Sequence, residues 1–164
     1  MTGSTIAAAS GDDARTAWAN NAPRVVVDTS VLVAGLRSRN GASFQLLASV
    51  TARCFVPLLS VPLFLEYESV LKRQEQRVVH GLSIADIDAI LNTWAALGEP
   101  IRLHYLWRPQ LRDSDDEMVL ETAINGRANA IITHNTTDFR PAAERFALDV
   151  LTPAQIIARL RREP

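Results

Sequence analysis

The residues with the most chemical potential are carboxylates placed where they are expensive. Asp28 follows Val25-Val26-Val27, a β-branched run of the kind that forms a strand buried on both faces. A carboxylate ending such a strand is costly unless something pairs with it. In open α/β sheets the crevice beyond the strands' carboxyl ends is where ligands bind. Asp28-Thr29-Ser30 is equally suited to capping the helix that follows.

A second group is Arg112-Asp113-Ser114-Asp115-Asp116-Glu117. Acids at a helix N-terminus favour the macrodipole, which would explain them without any chemistry. Helical periodicity separates the members, however. Glu117, Glu121 and Asn125 fall on one polar face, whereas Asp116 shares its side with Val119, Leu120 and Ala123. Asp116 is thus expected to point inward at the head of its helix, where a bound cation is the cheapest remedy for a missing basic neighbour.

Glu66 and Glu68 flank an apolar stripe of Leu63, Phe64, Tyr67, Val70 and Leu71 symmetrically, and periodicity does not choose between them. Thr133-His134-Asn135-Thr136-Thr137-Asp138-Phe139 repeats the arrangement at Asp28, an apolar run followed by oxygen-bearing side chains. It also reads as an ordinary turn. Oxygen ligands converging at one sheet edge suit Mg²⁺ or Mn²⁺. Two such ions, roughly 3.5–4 Å apart, are a standard device for phosphodiester hydrolysis. Acids gathered in one site resist joint ionisation, so at least one is expected to have a raised pKa.

The elements that must position these residues follow from pattern. Strands are expected at Val25–Val27, Phe55–Leu58, Ile101–Leu103, Ala130–Thr133 and Leu148–Leu151. Helices are expected over Val31–Leu36 and Ala42–Arg53, from a Ser60 cap with Pro62 in the first turn, and from Ser83 to Gly98. Ser114-Asp115-Asp116-Glu117 and Thr152-Pro153-Ala154-Gln155 fit capping boxes, the first opening a helix that ends near Gly126. Strands alternating with helices predict βαβ units and an α/β fold with a parallel sheet covered on both faces. Residues 1–23 read as a flexible tail, with an ordered arm packing on a partner through Trp18 as the alternative. Residues 24–164 form the domain.

Composition narrows the function classes. The 164 residues suit one domain, and 48% apolar with 21% charged residues is ordinary for a globular chain. A net charge of −1 excludes polybasic capture of nucleic acid, so any such contact is local. The single cysteine, Cys54, excludes a disulfide framework, and His80, His104 and His134 match no zinc spacing. The most apolar stretch, Phe55 to Leu65, is broken by Pro57, Ser60 and Pro62 and falls short of the roughly 20 residues needed to span a bilayer. With no secretory signal pattern in residues 1–23, the expected location is cytoplasmic.

In register, these segments resemble the PIN-domain family of metal-dependent nucleases. Val25 to Val33 is similar to the family's opening strand followed by D-T-[NS]-V-L. Glu66-Tyr67-Glu68-Ser69-Val70-Leu71 resembles its E-[YL]-x-x-V-L helix, which selects Glu66. Arg112 to Asp116 resembles R-D-x-x-D, and Ile131 to Phe139 the closing I-V-T-x-[DN]-x-x-[DF]-[FL]. Within the family the chain is most similar to the VapC-like toxins of toxin–antitoxin pairs.

The resemblance implies a Rossmann-like, three-layer α/β/α domain with a parallel sheet of about five strands. It implies an endoribonuclease dependent on Mg²⁺ or Mn²⁺, a homodimer, and neutralisation by a small antitoxin. Asp28, Glu66 and Asp116 would be the core metal ligands, with Asp138 as the fourth acid. Asp113 and Asn135 would be accessory, and Thr29 or Ser30 would orient Asp28 or a bound water. Asn135 stands where many relatives have Asp. His134 is a rival general acid.

Haloacid-dehalogenase phosphatases need a second Asp two positions after the first, where this chain has Ser30. Both they and phosphoreceiver domains need a lysine after a later strand, but the one lysine is Lys72 on a middle helix. A PIN-like scaffold that binds nucleic acid or protein without cutting is the alternative from another class, and the intact acid set argues against it.

Overall fold

The computed structural model describes residue 18, residues 21–104 and residues 110–162. β1 (Arg24–Val27) forms where three valines run on unbroken, and all three are buried. Asp28, in extended conformation, leads into α1 (Thr29–Arg37), and α2 (Ala42–Ser49) follows. β2 (Val56–Leu59) enters α3 (Val61–Leu71) through Ser60, whose hydroxyl accepts from the Leu63 N–H and shares a 2.7 Å bond with the Thr122 hydroxyl. After α4 (Gln74–His80) comes α5 (Ile84–Leu97), opened by a reciprocal capping box between Ser83 and Asp86. β3 (Glu99–Pro100) is short. A 3₁₀ turn (Ser114–Asp116) introduces α6 (Glu117–Asn125), followed by β4 (Ala130–Ile132) and α7 (Thr136–Arg145). β5 (Asp149–Leu151) and α8 (Pro153–Arg162) complete the described residues. Thr152 and Gln155 cap α8 reciprocally, at 2.8 and 3.2 Å.

All strand pairs are parallel, in the order β3-β2-β1-β4-β5, giving a single five-stranded sheet in an α/β/α domain. From β1 the chain builds outward through β2 to β3, then returns to the other side of β1 for β4 and β5. The order reverses between β1 and β4, so their carboxyl ends flank the switch point. Val27 is in register with Ile132, and the Asp28 N–H donates to the Ile132 carbonyl at 2.9 Å. Beneath this edge lie Tyr67, Leu120, Ile131 and Phe139, all essentially inaccessible. Burying each such apolar side chain contributes about 1.5–3 kcal/mol.

Three local expectations need correction. The third strand is Glu99–Pro100 rather than Ile101–Leu103; the Arg24 guanidinium grips Glu99 with two bonds of 2.9 and 2.7 Å, and the pairing runs on only as far as the Ile101 N–H, which donates to the Leu59 carbonyl. The second helix ends at Ser49, short of Arg53, whose backbone is left-handed at φ 55°. Ser114 does not form a capping box with Glu117: Asp113 caps the 3₁₀ turn by accepting from the Asp115 N–H at 3.0 Å, and Glu117 is engaged elsewhere. Of the proposed tail, residues 1–17, 19 and 20 lie outside the described residues. Trp18 is buried in the core, with the Arg159 guanidinium 3.9 Å above its ring. Among the described residues, no helix is long and apolar enough to cross a membrane.

Candidate active site

Asp28 leaves β1 at the switch point and is 6% exposed. Its Oδ2 accepts from two hydroxyls, Thr133 Oγ1 and Ser30 Oγ, each at 2.7 Å. Of the two hydroxyls expected to orient it, Ser30 makes the bond, while Thr29 is buried at the start of α1. Thr133, missed as a site residue by sequence reasoning, is fully buried beyond β4. Its hydroxyl gives its proton to Asp28 and accepts from the Asn135 N–H at 2.9 Å, so its orientation is set from both sides. Asn135 Nδ2 in turn donates to Asp138 Oδ2 at 2.6 Å. One hydrogen-bonded line therefore runs from Asp28 through Thr133 and Asn135 to Asp138. The signal for Thr133 was its position, a hydroxyl directly after a fully apolar strand.

Asp116 stands at the end of the 3₁₀ turn and the head of α6. Its carboxyl is pushed up from 3.8 to about 6, first by burial and then by the charges of Asp28, Asp113, Asp138 and Asp115. Every charge that acts on it is another acid. The expected raised carboxyl is therefore Asp116, and the cluster that raises it contains Asp28, Asp113 and Asp138.

Glu66 is half-buried and is not among the charges acting on Asp116. Its neighbour Tyr67 is fully buried and donates its hydroxyl to the Val27 carbonyl, which ties α3 to the end of β1 next to Asp28. Burial, and then the charge of Asp28, hold the Tyr67 phenol well above its usual range. Glu68 is neutralised by Lys72 at 2.7 Å, and Lys72 also bridges to Asp88. Of the two glutamates, Glu68 thus has a structural occupation. His134 is exposed, and its Nε2 shares a 2.8 Å bond with the buried Ser43 hydroxyl of α2.

The polar face of α6 is not a solvent face. Glu117 and Glu121 are each 2% exposed. Glu117 Oε1 accepts from the backbone N–H groups of Gln110 and Leu111 at 2.7 and 2.9 Å, and Asn125 Oδ1 accepts from the His104 N–H at 2.9 Å.

Among the described residues, no three or more His, Cys, Asp or Glu side chains are grouped so that they could hold a metal ion as they stand. The chemistry of the donors still fits a hard divalent cation: all are oxygen, and the negative charge around Asp116 is unopposed. An apolar groove of about 380 Å³, lined by Leu36, Phe44, Leu47, Ile90 and Trp94, is lined by none of these acids.

Compared with protein-family models, residues 24–137 match the PIN domain. The matched span contains Asp28, Glu66, Asp113, Asp116 and Asn135 and ends one residue before Asp138. Comparison with curated proteins gives no match.

Proposed function

This chain belongs to the PIN-domain family, a family of nucleases that generally use divalent metal ions, and from that premise we propose that it is a Mg²⁺- or Mn²⁺-dependent endoribonuclease. The observation that carries this reading is the set of charges on Asp116: Asp28, Asp113, Asp138 and Asp115, with no base among them. A site that holds so much like charge at a sheet's switch point is suited to a cation and, through it, to a phosphate.

Asp28, Glu66 and Asp116 would hold the ion, with Asp138 as the fourth acid and Asp113 and Asn135 beside them. When bound, such an ion activates a water and stabilises the charge that develops on the phosphate and leaving oxygens during in-line attack. The protein's own part is positioning. Ser30 and Thr133 fix the Asp28 carboxylate so that its second oxygen is presented in one orientation. Asn135 does the same for Asp138. His134 is bonded to Ser43, and this reading does not require it as a general acid.

The biological setting we propose is that of a toxin in a toxin–antitoxin pair, acting in the cytoplasm as a homodimer and neutralised by a small antitoxin protein. The resemblance of the four motifs to the VapC-like branch supports it. A short reading frame immediately upstream of the gene is the expected genomic companion. Incubating a mixed RNA pool with the protein tests the chemistry. Cleavage that requires Mg²⁺ or Mn²⁺ and vanishes in Asp28→Asn is expected. Full cleavage in EDTA, or RNA binding without cleavage by the folded protein, would overturn it.

A further inference from the structure

The acids Asp113 and Asp116 stand on a short segment that is fastened by a residue outside the proposed ligand set. Glu117 is 2% exposed, and a buried carboxylate is costly unless its oxygens accept hydrogen bonds. Its Oε1 takes two, from the Gln110 and Leu111 N–H groups at 2.7 and 2.9 Å. Gln110 is held a second time, because its side-chain carbonyl accepts from Arg145 at 3.0 Å. Arg145 ends α7, the helix that carries Asp138 in its first turn.

The consequence is topological. Residues 112–116 leave a point fixed by the Glu117 carboxylate and return to the Glu117 backbone, where α6 begins. Both ends of this loop therefore meet at one residue, and Asp113 and Asp116 lie between them. A loop closed so tightly has few arrangements open to it, so the bond that closes it also decides where its acids stand.

Resting on the nuclease reading above, we propose that Glu117 is the positioning residue of the metal-binding acids, its carboxylate closing the 112–116 loop so that Asp113 and Asp116 face Asp28 and Asp138. The role depends on reach. Glutamine keeps an oxygen at the same distance from the backbone but loses the charge. Aspartate keeps the charge but is shorter by one carbon–carbon bond, about 1.5 Å.

Mn²⁺ binding to the parent, Glu117→Gln and Glu117→Asp, measured by electron paramagnetic resonance, separates reach from charge without any RNA. The Gln variant is expected to stay within about 3-fold of the parent, and the Asp variant to bind about 10–100-fold more weakly, the usual range for losing an outer positioning contact. Hydrogen exchange at the Gln110 and Leu111 amides should be faster in the Asp variant than in the Gln variant. The reverse order of Mn²⁺ affinities overturns the proposal, because charge rather than closure would then matter. Equal affinity in all three proteins overturns it too, even if the variants melt lower, because the residue would then be merely structural. A parent that binds no Mn²⁺ overturns the nuclease reading and this one with it.

Discussion

Asp116 and Glu117 are consecutive acids at the head of α6, and their surroundings are opposite. Glu117 is almost wholly buried and is answered by two backbone N–H groups. Asp116 is less buried, and its carboxyl is pushed up to about 6, first by that burial and then by the like charges of Asp28, Asp113, Asp138 and Asp115. Burial by itself thus says little about which acid does chemistry. What separates the two is the inventory of partners. Glu117 has the donors that make a buried carboxylate affordable within the fold, whereas Asp116 keeps a cost that a cation would remove.

The largest effect should come from removing the unanswered acid. Asp116→Asn is expected to lower metal-dependent RNA cleavage by about 10²–10³-fold or more, the range for losing one preorganised electrostatic group. Circular dichroism should show the fold intact. Next is the support of Asp28. Thr133→Val keeps the shape of a fully buried side chain but strips one of two hydroxyls from the carboxylate and the acceptor from Asn135. A loss of about 10–100-fold in cleavage is expected, as for other contacts that orient a metal-binding acid.

A third, smaller effect has the opposite sign. The folded state holds the Asp116 proton more tightly than the unfolded chain does, so its contribution to stability is present below 3.8 and is lost as pH rises through about 6. Asparagine never ionises. In metal-free buffer Asp116→Asn should therefore melt like the parent near pH 3.5 and a few degrees higher above pH 6.5, about the shift that 1 kcal/mol produces. Added Mn²⁺ should raise the melting temperature of the parent more than that of the variant. The smallest effect belongs to His134, tied to Ser43 on α2. His134→Ala is expected to change cleavage by less than about 3-fold, far below the 10²–10⁴ that general acid catalysis contributes.

The contrast also explains how much was legible beforehand. Asp28 was readable because a strand's end and a hydrophobic run are local patterns, and the register of β1 with β4 then placed it beside Thr133. Asp116 was readable because helical spacing put it on the side of Val119, Leu120 and Ala123, all buried. The same spacing grouped Glu117, Glu121 and Asn125 on a polar face. Periodicity tells which residues share a face, but not that the backbone N–H groups of His104, Gln110 and Leu111 close onto it. That closure is a tertiary fact, and it also took Glu117 away from the capping box expected with Ser114. The third strand slipped by two residues for a similar reason, since the grip of Arg24 on Glu99 joins positions far apart in sequence. Between Glu66 and Glu68 periodicity was silent; the Lys72 and Asp88 network that engages Glu68 comes from packing between α3 and α5.

The most direct test of an acid site lacking its counter-charge is an NMR titration of the Asp116 side-chain carboxyl, first without divalent metal and then with Mg²⁺. Without metal its midpoint should lie near 6, well above the ordinary 3.8. With Mg²⁺ the midpoint should fall by a unit or more, which corresponds to about 1.4 kcal/mol or more of preference for the ionised form. A midpoint near 4 in the metal-free protein, or one that Mg²⁺ leaves unmoved, would contradict the claim that these acids are assembled to hold a cation.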